Sequence, residues 1–140
     1  MSTAAAPTIL VIDDDVDVRA SVATMLEAGG FSVVKAENGV EAERAIERGK
    51  VELVLTDLLM PDKDGIELIN DLRKSRPGLP IVAMSGGGHL PRAQYLAMAR
   101  RLGAKDVLEK PFTLDQLTMT VERQLRDAAK KPADAESAKE

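Results

Sequence analysis

Residues 51–65 read VELVLTDLLMPDKDG. This stretch is an almost continuous apolar run that ends on an acid, Asp57, and is followed by a turn containing proline and glycine. Such a run is typical of a strand that is covered on both faces, as in a parallel sheet. Open parallel sheets bind ligands at the carboxyl ends of their strands, so Asp57 is a candidate functional residue.

Similar apolar runs recur along the chain and alternate with amphipathic helical patterns. Strands are predicted at 8–12, 31–36, 51–56, 81–84 and 107–108. The helices between them are indicated by apolar residues at intervals of three and four. This alternation predicts an α/β fold, a doubly wound parallel sheet with the flavodoxin-like strand order 2-1-3-4-5. The runs at 31–36 and 107–108 are shorter or more mixed, which favours edge strands.

Composition sets limits on the domain organisation and on the classes of function. A chain of 140 residues predicts one domain, expected at 8–126, with a flexible N-terminus at 1–7 and a polar, partly disordered tail at 127–140. The net charge of −4 makes nucleic acid an unexpected partner, and the absence of cysteine excludes disulfides and thiolate metal sites. No apolar run reaches the ~18 residues that cross a bilayer, so we expect a cytoplasmic protein without a membrane partner.

Acidic residues follow two neighbouring strands of the predicted sheet. The first strand ends in Asp13, Asp14 and Asp15, and the third ends at Asp57. Clustered carboxylates repel each other unless a cation offsets their charge, and oxygen ligands on rigid strand ends suit Mg²⁺. We therefore expect a magnesium site formed by Asp13, Asp14 and Asp57. For Asp15 the favoured interpretation is the N-cap of the first helix.

Two further polar residues follow strands at the same edge of the sheet. Ser85 comes directly after the fourth strand, and Lys110 follows the fifth. A serine beside glycines is often simply part of a turn, and a lone lysine is often exposed to solvent. A hydroxyl and an ammonium beside a metal and a carboxylate would instead form a site for a phosphoryl group.

In combination, these residues resemble the receiver domains of bacterial two-component response regulators over about residues 8–126. The resemblance rests on ILVIDDD at 9–15 with Arg19 shortly after, on LTDLLMPDKDG at 55–65, on Ser85, and on EKPFT at 109–113. It implies a non-enzymatic, stand-alone phosphorelay signalling protein that changes conformation to alter its contacts with other proteins.

The resemblance also implies roles for the acidic residues. Asp57 would accept a phosphoryl group from a histidine kinase or a phosphotransfer protein. Asp14 and Asp57 would bind Mg²⁺ directly, together with the backbone carbonyl of Leu59. Asp13 would hold a metal-bound water.

On the phosphoryl side, the resemblance implies that Ser85 bonds a phosphoryl oxygen and that Lys110 pairs with the phosphate. Pro111 matches a proline that is often preceded by a cis peptide bond in this family. Strand five departs from the family pattern, because Val107 stands where most members carry a tyrosine or phenylalanine that swings inward on activation. Signal relay is therefore expected to differ or to be weaker.

The segment between strand four and helix four is longer than is typical of the family. We expect Gly86–Leu90 to form a flexible loop rather than a glycine-rich phosphate cradle, because no Walker pattern is present. His89, the single histidine, is interpreted as a surface residue rather than a metal ligand or a relay histidine. Leu59 and Gly87 offer no acid or amide to orient a hydrolytic water, which predicts a long-lived phosphoryl group.

The predicted output surface is the face formed by helix four, strand five and helix five. Arg100 and Arg101 could meet an acidic partner there, or could simply be a solvated helix end. Two other functions share parts of this pattern. A haloacid-dehalogenase-like phosphatase is disfavoured because it needs an acid at the position of Leu59. A phosphorylation-independent interaction module is disfavoured because the residues typical of the phosphorylation site are present.

Overall fold

Five strands and five helices alternate in the computed structural model, which describes residues 6–57, 64–86 and 92–130. In chain order they are β1 (Thr8–Ile12), α1 (Val16–Ala28), β2 (Ser32–Ala36), α2 (Gly39–Glu47), β3 (Val51–Asp57), α3 (Asp64–Ser75), β4 (Ile81–Ser85), α4 (Arg92–Leu102), β5 (Asp106–Glu109) and α5 (Leu114–Lys130).

The strands form one parallel sheet in the order β2-β1-β3-β4-β5, which confirms the predicted flavodoxin-like topology. The mixed strands β2 and β5 lie at the two edges, as their sequences indicate. The register places Asp57 opposite Met84 and Ser85 opposite Glu109. The carboxyl ends of β3, β4 and β5 therefore lie side by side at the same end of the sheet.

Both faces of the sheet are covered, which is why its central strands are apolar throughout. On one face, Ile9 and Val11 of β1 pack with buried residues of α1 and α5, such as Leu26 and Leu117. On the other face, Leu10 and Ile12 pack with residues of α2, α3 and α4. Alternate residues of a strand point to opposite faces, so the continuous apolar run of β1 contributes to both cores.

Side chains cap the helices at the predicted positions. The Asp15 carboxylate accepts hydrogen bonds from the backbone N–H groups of Asp17 and Val18, at 2.9 and 3.2 Å, which confirms its interpretation as an N-cap. At the start of α5, Thr113 and Gln116 exchange reciprocal bonds of 3.0 and 2.9 Å, a capping box.

Four of the five described strands differ from their predicted bounds by one residue at one end or at both ends. Strand β2 begins at Ser32, although the Phe31 side chain is still buried. Helix α5 continues to Lys130, past the predicted domain limit at residue 126, because its extra residues include two alanines with high helix propensity. The predicted flexible N-terminus and polar tail lie largely outside the described residues. Within the described part of the chain, no helix is both long and apolar enough to cross a membrane.

Candidate functional site

Four strands deliver polar residues to one edge of the sheet. Asp13 follows β1, Asp57 ends β3, Ser85 ends β4, and Lys110 follows β5. Their chain positions are far apart, and the parallel register brings them together. The structure places all four residues at the carboxyl end of the sheet.

Three carboxylates form the acidic part of this crevice. Asp13, Asp14 and Asp57 each offer one oxygen, and these oxygens all lie within 4.8 Å of one another. Asp13 is buried with 1% of its surface exposed, Asp57 is 8% exposed, and Asp14 is exposed. Oxygen ligands at this spacing, with an exposed side for waters, fit the coordination that Mg²⁺ prefers.

The Asp13 carboxylate is held by its own loop. One of its oxygens accepts a 2.9 Å hydrogen bond from the backbone N–H of Asp15. The guanidinium of Arg19 donates to the backbone carbonyl of Asp13, which ties the end of β1 to helix α1. This arrangement fixes a buried carboxylate before any ligand binds.

Lys110 is the cation of the crevice. Its ammonium lies 3.1 Å from Asp13 Oδ2 and 3.6 Å from Asp57 Oδ1. The Lys110 side chain is 21% exposed, so water screens these pairs only partly. The peptide bond between Lys110 and Pro111 is cis. A cation between two carboxylates offsets their repulsion and leaves donor capacity for an anionic ligand.

Ser85 supplies a buried hydroxyl. The residue is fully buried, and its Oγ has no hydrogen-bond partner among the described residues. A buried hydroxyl without a partner is costly and calls for an explanation. The adjacent backbone is well paired, since the N–H of Lys110 donates to the Ser85 carbonyl at 2.7 Å. An acceptor oxygen from a ligand would satisfy the hydroxyl.

Val107 occupies the position where the family pattern expects an aromatic side chain. It is 2% exposed and lies opposite Ala83 in the sheet. Its side chain belongs to the core cluster on the face of α2, α3 and α4, which also includes Ala99 and Ala104. Valine has no aromatic ring, so Val107 cannot make the inward swing that is expected of an aromatic side chain at this position.

Several predictions fall outside the described residues. These are the Leu59 carbonyl as a metal ligand, the Met60-Pro61 turn, the glycine loop around Gly87, and His89. Arg100 and Arg101 are described, and both are exposed in the last turn of α4.

A family model for the response regulator receiver domain matches residues 9–122. This chain belongs to the response regulator receiver domain family. Among solved structures, the receiver domain of NtrX from Brucella abortus shares 37% identity with a TM-score of 0.77, over 84% of this chain and 98% of that one. A CheY-like receiver domain protein from Methanospirillum hungatei JF-1 shares 28% identity with a TM-score of 0.79, over 91% and 99% of the two chains.

Curated relatives of this receiver domain are longer proteins. The transcriptional regulatory protein GlrR of Escherichia coli K12 is 34% identical over 121 residues, which is 86% of this chain and 27% of that protein. The transcriptional regulatory protein FixJ of Bradyrhizobium diazoefficiens is 38% identical over 120 residues, which is 57% of its length. The receiver domain thus spans between about a quarter and about half of these relatives.

Proposed function

We propose that Asp57 of this receiver domain accepts a phosphoryl group from a phosphohistidine of a histidine kinase or phosphotransfer protein, in a Mg²⁺-dependent reaction. The observation that carries the proposal is the convergence of Asp57, the Lys110 ammonium and the Ser85 hydroxyl, which has no partner among the described residues, at the carboxyl end of the sheet. A nucleophilic carboxylate, a cation and a buried hydroxyl donor together suit a tetrahedral anionic group.

The transfer itself needs little covalent chemistry from the protein. An oxygen of the Asp57 carboxylate attacks phosphorus, the P–N bond to the donor imidazole breaks, and the electron pair returns to that nitrogen. The product is an aspartyl phosphate. Asp57 ends a strand that is paired on both sides, so its carboxylate is well positioned, and positioning supplies much of the rate in such reactions.

The acidic cluster would hold the metal. Asp13, Asp14 and Asp57 have the donor atoms and the spacing for Mg²⁺, and the resemblance adds the backbone carbonyl of Leu59. When bound, the ion neutralises charge on the transferring group. The residues of this chain fit the ion because their oxygens already converge, and because mutual repulsion of the carboxylates favours a cation.

After transfer, the phosphoryl group would act as a covalently held ligand that favours one of two conformations. Ser85 would donate its hydroxyl to a phosphoryl oxygen, and Lys110 would shift its charge from Asp13 towards the phosphate. Raising an active state from ~1% to ~99% requires a preference of about 5.5 kcal/mol. The bond from Lys110 N–H to the Ser85 carbonyl couples the ends of β4 and β5.

The output surface in this proposal is the face of α4, β5 and α5. A concavity of about 650 Å³ lies beside β5 and α5, and exposed Met119 lines it. At the same place, Arg123 of α5 pairs with Asp106 of β5 at 2.6 Å. An exposed apolar side chain beside a partly exposed ion pair suits contact with another protein.

The test is incubation with acetyl phosphate and Mg²⁺, followed by intact mass measurement of the wild type and of Asp57→Asn. The proposal expects one added phosphoryl group on the wild type and none on the variant. No added mass on the wild type in Mg²⁺ would reject the phosphoacceptor role and favour the phosphorylation-independent interaction module. Equal labelling of both proteins would place the acceptor at another residue.

A further inference from the structure

A concavity of about 450 Å³ lies at the opposite end of the sheet from Asp57, where β4 and β5 begin. Its walls are the C-terminal ends of α3 and α4 and the segments that follow them. Within the described part of the chain, four cationic side chains line it: Arg73, Arg76, Arg100 and Lys105. We refer to this feature as the basic concavity.

The basic concavity concentrates positive charge in an acidic protein. The whole chain carries a net charge of −4, yet no aspartate or glutamate occurs between Asp71 and Asp106. Of the residues that the structure describes, no acidic one lines the concavity. Among the described residues, the ion pairs involve Lys110 and Arg123, and none involves the four lining cations.

Arg73 is held in position by a close packing contact. A Cβ on Gly103 would come within 2.8 Å of Arg73 Cδ, so the absence of a side chain at Gly103 leaves room for the arginine stem. The Arg73 guanidinium donates to the Arg101 carbonyl and to Asn70 Oδ1, both at 3.4 Å. Gly103 has φ +115, and the N–H of Ala104 bonds the Ala99 carbonyl at 2.9 Å, as in a Schellman motif. The helix end and the arginine are thus fixed together.

Helix dipoles explain why some of these cations occur here, because a positively charged side chain near the C-terminus of a helix is stabilised by the helix dipole. Arg73 lies in the last turn of α3 and Arg100 in the last turn of α4. Arg76 directly follows the last residue of α3, so the dipole also applies to it, whereas Lys105 lies beyond the end of α4 and is not explained in this way.

Helix α2 shows the ordinary pattern of charge at a helix end. Arg44 lies in its last turn and Arg48 is its C-cap, and both are exposed. Glu43 and Glu47 accompany them in the sequence. The described lining of the basic concavity contains no such acid, although Arg76 also borders a neighbouring concavity that is lined by Glu43, Glu47 and Asp71.

We propose that the basic concavity docks an acidic segment of a partner protein. Guanidinium groups match carboxylates in a two-pronged geometry, and three of the four cations are arginines. The remaining lining is apolar and includes half-buried Leu79, which suits a peptide with apolar side chains between its acids. Among the described residues, no aromatic side chain lines the concavity, and so none of them offers a ring for stacking on a nucleobase. This docking goes beyond the phosphoacceptor role and does not depend on phosphorylation of Asp57.

The test uses the full chain and a short fluorescein-labelled peptide of glutamates with interspersed leucines. Fluorescence anisotropy is measured with the wild type, with Arg76→Gln/Arg100→Gln, and with the control Arg44→Gln/Arg48→Gln. Both double variants change the net charge equally, and each removes exposed cations at a helix end. Thermal unfolding and circular dichroism establish that each variant is folded. A peptide with glutamine in place of glutamate, pyrophosphate, duplex DNA and anionic phospholipid vesicles serve as competitors.

The expected result is binding that weakens as salt is raised, and that loses at least about tenfold in affinity in Arg76→Gln/Arg100→Gln but not in the α2 control. Gly103→Ala, which displaces the Arg73 stem, should weaken binding as well. Equal loss in both double variants would overturn the proposal, because it would indicate non-specific attraction. Stronger competition by pyrophosphate, DNA or vesicles than by unlabelled acidic peptide would also overturn it, since the preferred ligand would then belong to another class.

Discussion

Lys110 Nζ lies 3.1 Å from Asp13 Oδ2, although the two residues are separated by 97 positions in the chain. This pair joins the ends of β1 and β5 across the crevice that contains Asp57. Asp13 is almost fully buried, so its carboxylate depends on Lys110 for charge compensation when no metal is bound.

Replacing Lys110 should therefore destabilise the metal-free protein. In EDTA, Lys110→Met should lower the free energy of unfolding by about 1–3 kcal/mol, because a buried carboxylate loses its cation. Urea unfolding measures the change. The control is Lys35→Met on the exposed edge strand, which should stay within about 0.5 kcal/mol of the wild type. A Lys110 effect as small as that of Lys35 would show that the pair adds nothing to stability.

Ser85→Ala should leave stability unchanged or raise it by up to ~1 kcal/mol, because the variant removes a buried hydroxyl that lacks a partner among the described residues. The same variant should still gain a phosphoryl group from acetyl phosphate but lose much of the conformational response, which two-dimensional NMR can follow.

The matched control for Ser85 is Thr56→Val. Thr56 is equally buried, but its hydroxyl donates to the Asp57 carbonyl at 3.1 Å. Losing this bond should cost about 1 kcal/mol. If Ser85→Ala destabilises the protein as much as Thr56→Val, the Ser85 hydroxyl is already satisfied in the unphosphorylated state.

Magnesium should raise the melting temperature of the wild type through the acidic cluster. At a concentration 100 times the Kd, a ligand adds about 2.7 kcal/mol of stability. Asp14→Asn should lose most of this response. Asp15→Asn should keep it, because asparagine also caps a helix and Asp15 already serves as the N-cap of α1. An equal loss in both variants would locate the metal elsewhere.

The aspartyl phosphate should be long-lived, because neither Leu59 nor Gly87 offers an acid or amide to orient water. Intact mass spectra recorded at intervals after removal of acetyl phosphate give its lifetime in Mg²⁺. Leu59→Asn should shorten that lifetime. Decay of the wild-type phosphoryl group within seconds would contradict the prediction.

Gly29→Ala should destabilise the packing of α1 against α5. A Cβ at Gly29 would lie 2.5 Å from Thr118 Cγ2, and the Thr118 hydroxyl is bonded to the Leu114 carbonyl at 2.9 Å. The expected loss is about 1–3 kcal/mol. Thr118→Ser, which removes only that methyl group, should restore much of the stability of Gly29→Ala.

Gly39→Ala is the control for Gly29, because a Cβ at Gly39 meets no atom within 4 Å. It lies at the start of α2, and the substitution should be neutral or slightly stabilising. Equal destabilisation by both substitutions in thermal unfolding would show that the contact with Thr118 is not the cause.

The sequence by itself determined the strand and helix alternation, the sheet order, and the placement of acids at strand ends. These features depend on local patterns. Apolar runs such as 51–56 identify strands, and Asp15 and Thr113 mark helix starts through bonds within a few residues. The topology then follows from general rules of parallel sheets, which place Asp13, Asp57, Ser85 and Lys110 at one edge.

Tertiary structure decided how those residues meet. The distances from Lys110 to its two carboxylates and the missing partner of Ser85 depend on strand register and twist, which no local pattern encodes. The same holds for the basic concavity. In the sequence, Arg73 and Arg100 belong to two separate helices. Only the packing of α3 beside α4 places both in the basic concavity. The physical reason is that contacts between distant segments arise from the summed packing of the whole core.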